Sequence, residues 1–356
     1  MMNLGIEAQK FPFPAWATNN INGSNFVAAV NSNTDKSVIN SSTVFGSLTG
    51  ADKWTGGVLA PNGKIYGIPY SSSSVLKIDP VARTATTFGS LTGAGKWVGG
   101  VLAPNGKIYG IPTASTTVLE IDPSNDSTST FGSFTGAGKW YGGVLAPNGK
   151  IYGIPSTSTT VLEIDPVART GSTFGSLTGA DKWTGGVLAP NGKIYGIPYS
   201  SSSVLEIDPV ARTATTFGSV GATVEKWIGG ALAPDGNIYC IPRNATTILK
   251  IDPVARTATT FGSLSGTDKW AGGALAPNGK IYGFPLSATT TLEIDPVSQT
   301  TALFGSTSGA YKYYSGVLGD DGQLYGIPLA ASDVLEIGSV NNQSSDFTLS
   351  RYVNKF

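Results

Sequence analysis

The sequence at residues 53–69 reads KWTGGVLAPNGKIYGIP, and closely similar residues return six more times along the chain. The position of Trp54 recurs at intervals of 43, 43, 43, 44, 43 and 43 residues, with tyrosine in the last copy. A fixed period of this length is typical of arrays whose units cannot bury their own apolar face and must stack on their neighbours. The sequence therefore predicts a repeat protein of seven units.

Each copy contains four short runs with strand character, separated by turn signals. In the first copy these runs cover residues 56–60, 64–68, 75–78 and 85–88. Asn62-Gly63 between the first two runs supplies the positive φ angles of a tight hairpin turn. Four antiparallel strands per copy, repeated seven times, predict an all-β fold, a seven-bladed β-propeller of four-stranded antiparallel blades.

The ends of the repeat predict how the ring closes. A fourth-strand phrase ending in Phe-Gly stands before the first unit, at Thr43–Gly46, and none follows the last unit. We expect this N-terminal strand to complete the C-terminal blade, which leaves no sheet edge between blades. The predicted division is an arm at 1–42, the propeller at 43–337 and a tail at 338–356. In the alternative, the two flanks form a degenerate eighth blade with an extra strand at Phe26–Val30.

The composition argues against several classes of function. Charged residues make up only 13% of the chain, with 23 basic and 23 acidic side chains, so no net field attracts nucleic acid or an anionic membrane. The chain has no histidine, the commonest general base and metal ligand, and we expect neither metal nor cofactor. Cys240 is the single cysteine and cannot form an intrachain disulfide. No apolar stretch suits a signal peptide or a membrane span, so the compartment stays open.

Comparison of the seven copies separates the two faces of the predicted ring. The loop before the first strand and the loop after the second strand should share one face, and the remaining turns the other. Ala-Pro-Asn-Gly-Lys occurs five times on the second of these faces. The first, which we call the variable face, differs between copies after the second-strand proline and after the tryptophan. Such variation favours either a binding surface or relaxed drift on an exposed loop.

Aromatic side chains of the variable face are the candidate ligand-binding residues. Sugar-binding pockets use aromatic rings beside hydroxyls and carboxylates, because pyranose C–H faces stack on rings. The candidates are Trp54, Trp97, Trp140, Trp183, Trp227, Trp270, Tyr70, Tyr141, Tyr199 and Arg243. For the tryptophans we favour a second interpretation, in which each ring is a buried wedge between two blades.

Two recurrent charged positions have ordinary explanations. The aspartate before proline, first seen at Asp79, more often accepts backbone hydrogen bonds in a turn than it binds a cation. The lysine before each tryptophan, first seen at Lys53, is interpreted as a solvated residue that pairs weakly with nearby acids. Because no nucleophile stands with a base, the sequence predicts no catalytic residue.

One copy carries a family resemblance. It reads APDGNIY at 233–239 and ILKIDP at 248–253, and it resembles the blades of NHL and streptogramin-lyase-like propellers. The resemblance extends over all seven copies and implies a propeller fold. The lyases of that group work with histidines, which this chain lacks, so the resemblance does not imply their activity. The nearly identical copies also resemble, more loosely, amplified propellers of phage and bacterial surface proteins.

These observations predict a non-catalytic binding and assembly module, with a virion tail, neck or capsid as the expected setting. The variable face would contact a glycan or a protein, and the terminal arms would contact other assembly proteins. One alternative is a carboxylate-dependent lyase or hydrolase with its site at the channel mouth, which would need two acids at catalytic spacing. The other is a soluble intracellular scaffold for protein interactions, which a pull-down would reveal.

Overall fold

The computed structural model describes Ile39 and residues 41–338, which form seven separate sheets of four antiparallel strands. The strands are labelled β1 to β28 in chain order. The words first, second, third and fourth strand give the position of a strand within its blade, counted from the axis of the ring outwards. The first strands are β2 (Trp54–Leu59), β6 (Trp97–Leu102), β10 (Trp140–Leu145), β14 (Trp183–Leu188), β18 (Trp227–Leu232), β22 (Trp270–Leu275) and β26 (Tyr313–Leu318). The second strands are β3 (Ile65–Pro69), β7 (Ile108–Pro112), β11 (Ile151–Pro155), β15 (Ile194–Pro198), β19 (Ile238–Pro242), β23 (Ile281–Pro285) and β27 (Leu324–Pro328).

The outer half of each blade is built in the same way. The third strands are β4 (Val75–Asp79), β8 (Val118–Asp122), β12 (Val161–Asp165), β16 (Val204–Asp208), β20 (Ile248–Asp252), β24 (Thr291–Asp295) and β28 (Val334–Gly338). The fourth strands are β5 (Thr84–Phe88), β9 (Ser127–Phe131), β13 (Thr170–Phe174), β17 (Thr213–Phe217), β21 (Thr257–Phe261), β25 (Thr300–Phe304) and, in the seventh blade, β1 (Ser41–Phe45). The predicted seven-bladed propeller is therefore confirmed. Within the described part of the chain there is no helix with the length and apolarity needed to cross a bilayer.

The ring closes through the N-terminal strand, as predicted. Strand β1 runs antiparallel to β28, with Ser41 opposite Gly338 and Phe45 opposite Val334. Strand β26 of the seventh blade also contacts β2 of the first blade along the axis. Ser41 and Ser42, predicted as the end of the N-terminal arm, belong to β1, and Gly338, predicted as the start of the tail, ends β28. Residues 1–38 and 40, which include the proposed extra strand at Phe26–Val30, and residues 339–356 lie outside the described residues.

Glycine lets the first strands approach one another at the axis. Gly56 has φ +90°, and a Cβ added there would lie 2.6 Å from the Cα of Gly99 in the next blade. No side chain fits in that distance, so the Gly-Gly pair of the repeat is a packing requirement. The residues at this position form what we call the axial ring, Gly56, Gly99, Gly142, Gly185, Gly229, Gly272 and Ser315.

Apolar side chains are buried between neighbouring blades. Tyr66, Ile68 and Val75 of the first blade pack with Trp97 and Ile108 of the second in one buried cluster. Each sheet thus covers a face of the next, which is the arrangement that a stacked repeat requires. An equivalent cluster joins the seventh blade to the first, so burial continues across the closure.

A cationic clamp joins the outer parts of adjacent blades. The Arg169 guanidinium lies 5.3 Å from the centre of the Phe131 ring in the preceding blade, and its Nη1 lies 2.8 Å from Glu120 Oε1. Arg83 makes the same two contacts across the closure, over the Phe45 ring and with the Glu336 carboxylate. Arg212 and Arg256 form the same clamp at two further internal junctions, so the closing junction uses contacts that three internal junctions also have.

Candidate functional site

The loops separate onto two faces as predicted. On the variable face the Tyr70 amide donates to the Lys53 carbonyl at 2.9 Å, which ties the loop after the second strand to the loop before the first. On the opposite face Lys64, next to the Asn-Gly turn, pairs with Asp79 of the turn after the third strand. Asp79 Oδ1 accepts the amides of Val81 and Ala82, both at 3.1 Å, which confirms the predicted turn role of the Asp-Pro aspartates. Residue 39 and residues 41–338 contain no cluster of three potential metal ligands.

The six tryptophans are buried wedges. Their exposed fractions are only 2–3%, and each indole Nε1 donates to a backbone carbonyl of its own blade, as Trp54 does to Ser74 at 2.7 Å. In the seventh blade Tyr313 replaces the indole and donates to the Asp333 carboxylate. A ring with both faces packed offers no surface to a sugar. The interpretation of Trp54, Trp97, Trp140, Trp183, Trp227 and Trp270 as ligand-binding residues is therefore corrected, and the wedge interpretation describes their place.

The lysines that precede the tryptophans are also buried, so their interpretation as solvated residues is wrong. Lys139 is 4% exposed, and its ammonium donates to the carbonyls of Thr113, Ser115 and Gly136 at 2.8, 2.9 and 2.7 Å. Two of these carbonyls belong to the preceding blade, so the ammonium joins two blades. Burial lowers the pKa of each such lysine, to about 8 for Lys269. They are Lys53, Lys96, Lys139, Lys182, Lys226, Lys269 and Lys312.

Four tyrosines from four different blades converge near the axis on the variable face. Tyr70 and Tyr199 follow second-strand prolines, and Tyr141 and Tyr314 lie inside first strands. All four are half-buried. Burial, followed by the neighbouring Tyr141 hydroxyl, raises the pKa of Tyr70 to about 12, and burial followed by the other three tyrosines and Arg243 shifts that of Tyr314 upwards on balance. We call these four residues the tyrosine cluster.

Arg243 stands beside the tyrosine cluster and is held by two acids. Its Nε donates to Asp268 Oδ1 at 2.6 Å, and its Nη2 lies 3.5 Å from Glu225 Oε2. Nη1 donates to the Tyr199 hydroxyl, and the guanidinium carbon lies 5.6 Å from the centre of that ring. These contacts fix the plane of the guanidinium across the boundaries of the fourth, fifth and sixth blades.

The residue two positions before the first strand has left-handed backbone in all seven blades. Its φ is positive at Gly95 and Gly138, and also at Asp52, Asp181, Glu225, Asp268 and Tyr311. This conformation is costly for residues other than glycine, and its recurrence in every blade makes it a property of the repeat. In the seventh blade it places Tyr311 so that its hydroxyl donates to Asp268 Oδ2 at 3.2 Å, which supports one of the two acids that hold Arg243.

An apolar floor supports the tyrosine cluster. Tyr199 and Tyr314 pack against a buried group formed by Ile228, Ala271, Leu286 and Leu329. These four side chains occupy the two variable positions in the fifth, sixth and seventh blades. Part of the sequence variation on this face is therefore structural, since it builds the floor on which the aromatic rings rest.

The structure brings together four of the ten residues proposed from the sequence, namely Tyr70, Tyr141, Tyr199 and Arg243. It adds Tyr314, Glu225, Asp268 and Tyr311 to their surroundings. Tyr314 could have been found as a second aromatic residue at the Tyr141 position. The two acids were interpreted as partners of the adjacent lysines, because nothing in the sequence shows that Arg243 reaches both of them.

Comparisons with known proteins agree with the fold. No protein-family model and no curated protein matches the chain. A streptogramin B lyase structure is 12% identical, covers 84% of this chain and 97% of its own, and has a TM-score of 0.71. A catalytically inactive histidine-to-alanine variant of virginiamycin B lyase from Staphylococcus aureus, with quinupristin, is 10% identical over 84% and 99% of the two chains, with a TM-score of 0.73.

A third similar structure comes from a different class of protein. The extracellular domain of a hybrid two component system from B. thetaiotaomicron is 10% identical, covers 86% of this chain and 44% of its own, and has a TM-score of 0.64. At these identities the similarity establishes the propeller fold alone. A lyase and an extracellular domain share this fold, so the function of this chain has to be argued from its own side chains.

Proposed function

We propose that the protein is a non-catalytic binding protein whose ligand is a glycan held by the tyrosine cluster and Arg243. The observation that carries this proposal is the convergence of side chains from five blades at one place. Half-buried aromatic rings can stack on the C–H faces of a sugar, while hydroxyls, the guanidinium and the two carboxylates can bond its hydroxyl groups. The proposed site is single and asymmetric, in contrast to seven similar pockets around the ring.

The state of the ionisable groups favours binding over catalysis. Burial raises the pKa of Tyr199, despite the opposing effect of Arg243, so its hydroxyl is protonated at neutral pH and is not a ready base. Arg243 is neutralised by its two acids, which suits a neutral ligand better than an anion. The inactive virginiamycin B lyase variant lacks one histidine, and this chain has no histidine at all. The alternative of a lyase or hydrolase therefore has less support than binding.

A protein is the alternative to a glycan as the ligand of the same face. The predicted role on a virion is a separate question. The proposal concerns only the channel mouth. The virion setting and the partners of the terminal arms, which were predicted from the sequence, receive no support from the comparisons, and the glycan proposal does not depend on them.

The proposal can be tested with substitutions that the fold accepts, because the other blades already have the new residues at the equivalent positions. We would compare the parent on a glycan array with a mouth variant that carries Tyr70→Thr, Tyr141→Val and Tyr199→Ser. The second blade has Thr113 and Val98 at two of these positions, and the third blade has Ser156 at the third. The expected result is binding by the parent and loss of binding by the mouth variant, since the stacking surfaces are removed.

A matched control variant changes the opposite face, again with a residue that another blade has at the equivalent position. Val81, Val210 and Val254 are 88–90% exposed, and the second blade has Ser124 at their position. The variant Val81→Ser, Val210→Ser and Val254→Ser should bind the array as the parent does. A parent that binds no glycan, or a mouth variant that binds as well as the parent, would contradict the proposed function. A specific polypeptide captured by the parent but not by the mouth variant would point instead to a protein ligand.

A further inference from the structure

A cavity of about 50 Å³ lies where the first strands meet at the axis. Glycine backbone of the axial ring forms much of its wall, and its side chains include Val98, Tyr141, Ile228 and Tyr314. All of its lining residues occupy the second to fourth positions of the first strands, which begin on the variable face. Because Tyr141 and Tyr314 also belong to the tyrosine cluster, the cavity adjoins the proposed glycan site.

The surface of this cavity is almost wholly apolar. Thr184 and Ser315 are the lining residues with aliphatic hydroxyls, and neither hydroxyl is free to bond a group in the cavity. Thr184 donates to the Trp227 carbonyl at 3.2 Å, and the Ser315 oxygen is buried in the protein. Within residues 41–338, no lysine, arginine, aspartate or glutamate lines the cavity. A polar group that entered would lose its bonds to water without a replacement, so the wall favours an apolar group.

The size of the cavity restricts that group further. The volume admits a few water-sized groups, which suits a methyl group and excludes a whole sugar ring. A sugar ring stacked on the tyrosine cluster would therefore stay outside the cavity and direct one substituent into it. Most substituents of a hexose are hydroxyl or hydroxymethyl groups, which carry a hydroxyl. The methyl group of a 6-deoxyhexose carries none.

We infer that the axial cavity binds the methyl group of a 6-deoxyhexose, which names the class of sugar that the site selects. This inference rests on the proposed function, since the tyrosine cluster would hold the ring from which the methyl group projects. Burial of the methyl group removes apolar surface of both ligand and wall from water. A hydroxymethyl group in the same place would lose the hydration of its hydroxyl.

Three sugars that share one ring configuration isolate the methyl group. D-Xylose has a hydrogen atom at the position concerned, 6-deoxy-D-glucose has the methyl group, and D-glucose has a hydroxymethyl group. We would titrate the protein with each sugar and follow binding by NMR. Affinity for 6-deoxy-D-glucose should exceed that for D-xylose by about fourfold, the effect of one buried methyl group, and should also exceed that for D-glucose. An affinity for D-xylose or D-glucose that equals or exceeds it would overturn the inference.

A variant with a filled cavity tests whether the preference arises there. Val98→Ile combined with Thr184→Ile adds carbon atoms to the wall, and the fifth blade already has Ile228 at the equivalent position. This variant should lose the preference for 6-deoxy-D-glucose over D-xylose. The matched control is Val81→Ile combined with Val210→Ile, at two exposed valines of the opposite face, and it should keep the preference. The same affinity ratio in the parent and the filled variant would contradict the inference.

Xenon separates this inference from the glycan proposal. It is an apolar probe of small cavities and carries no sugar ring, and its binding can be followed at the backbone amides of Gly56, Gly142 and Gly229. The expected result is a shift of these signals in the parent that is weaker in the filled variant. Xenon binding with no sugar binding would keep an apolar pocket and reject the glycan proposal together with the 6-deoxyhexose. Sugar binding with no xenon shift would keep the glycan proposal and overturn the pocket.

Discussion

The guanidinium carbon of Arg83 lies 5.1 Å from the centre of the Phe45 ring, across the junction that closes the propeller. The Phe45 ring also meets Tyr325 edge to face at 6.2 Å. The corresponding ring within the array is Phe131, which lies 5.3 Å from Arg169 and 6.0 Å from Tyr109. The first and last parts of the chain are thus joined by the same contacts that join the second blade to the third.

Because the two rings make equivalent contacts, truncation of either side chain should lower the free energy of unfolding by the same amount. Phe45→Ala and Phe131→Ala should each lower the free energy of unfolding by about 2–3 kcal/mol, since both rings are partly buried. Chemical denaturation of the two variants measures the comparison. A much smaller loss for Phe45→Ala would show that the closing strand contributes less than an internal one.

Deletion of residues 1–46 should lower the melting temperature sharply, because it removes the closing strand β1. Deletion of residues 1–38 is the control, since it leaves β1 in place, and the difference between the two deletions gives the contribution of the strand.

Removal of a buried ammonium should weaken a blade junction. Lys139→Met leaves the carbonyls of Thr113, Ser115 and Gly136 without this donor, and the expected loss is roughly 2–4 kcal/mol. Lys77→Met is the matched control, because the Lys77 side chain is 28% exposed and pairs with Asp126 near the surface. Its loss should stay below about 1 kcal/mol. Similar losses in urea denaturation for the two variants would refute a special role for the buried lysine.

The axial ring should not accept a methyl group. In Gly142→Ala the new Cβ would lie 3.0 Å from the Cα of Gly185, at a position with φ +80°. Gly149 has φ +78°, but a Cβ there would meet nothing within 4 Å. Gly149→Ala should therefore lose only about 1–2 kcal/mol, from the left-handed backbone, and Gly142→Ala clearly more. Thermal unfolding of the pair would decide, and equal melting temperatures would contradict the close approach.

Alkaline pH should destabilise the fold through the second-strand tyrosines. Burial raises the pKa of Tyr66, Tyr109, Tyr152 and Tyr195 from 10.0 to about 12. A raised pKa means that the folded state retains the proton after the unfolded state has lost it. This contribution to stability is complete below pH 10 and disappears as the pH rises through 12. The buried lysines act in the opposite direction, but only up to about pH 10.5, where the unfolded chain loses those protons.

The free energy of unfolding should therefore fall between about pH 10.5 and 12. Urea denaturation at a series of pH values measures this fall, and tyrosine absorbance of the folded protein follows the ionisation directly. The variant Tyr152→Phe should show a shallower decrease. Ionisation of all tyrosines of the folded protein near their ordinary pKa would contradict the prediction.

The role of Arg243 in ligand binding can be tested by substitution with leucine, which two other blades have at the equivalent position. Arg243→Leu places at this position the residue found at Leu286 and Leu329. We expect a loss of about tenfold or more in affinity for a glycan identified on the array, because charge-assisted hydrogen bonds to the ligand are lost. The control is Arg212→Leu on the opposite face, whose affinity should not change. An unchanged affinity in Arg243→Leu would remove this residue from the site.

The repeat contains enough information to predict the blade, the number of blades and the closing strand. Gly56, Asn62-Gly63 and the Trp54 wedge are local requirements that recur, so the sequence shows them directly. The meeting of Tyr70 with Tyr141 and Tyr199 could not be predicted, since it depends on how far each side chain reaches towards the axis. The burial of Lys139 was missed because lysine is normally exposed, and its carbonyl partners are backbone atoms that no sequence pattern shows.

The axial ring also fixes the distance between neighbouring blades. Because a Cβ on Gly56 would already meet the backbone of Gly99, the inner circumference is that of seven glycine backbones placed side by side. An additional copy of the 43-residue unit would enlarge that circle and reduce the angle between neighbouring blades. Every buried cluster between two blades would then have to repack, so a gene lengthened by tandem copying would not simply yield the same ring with one more blade.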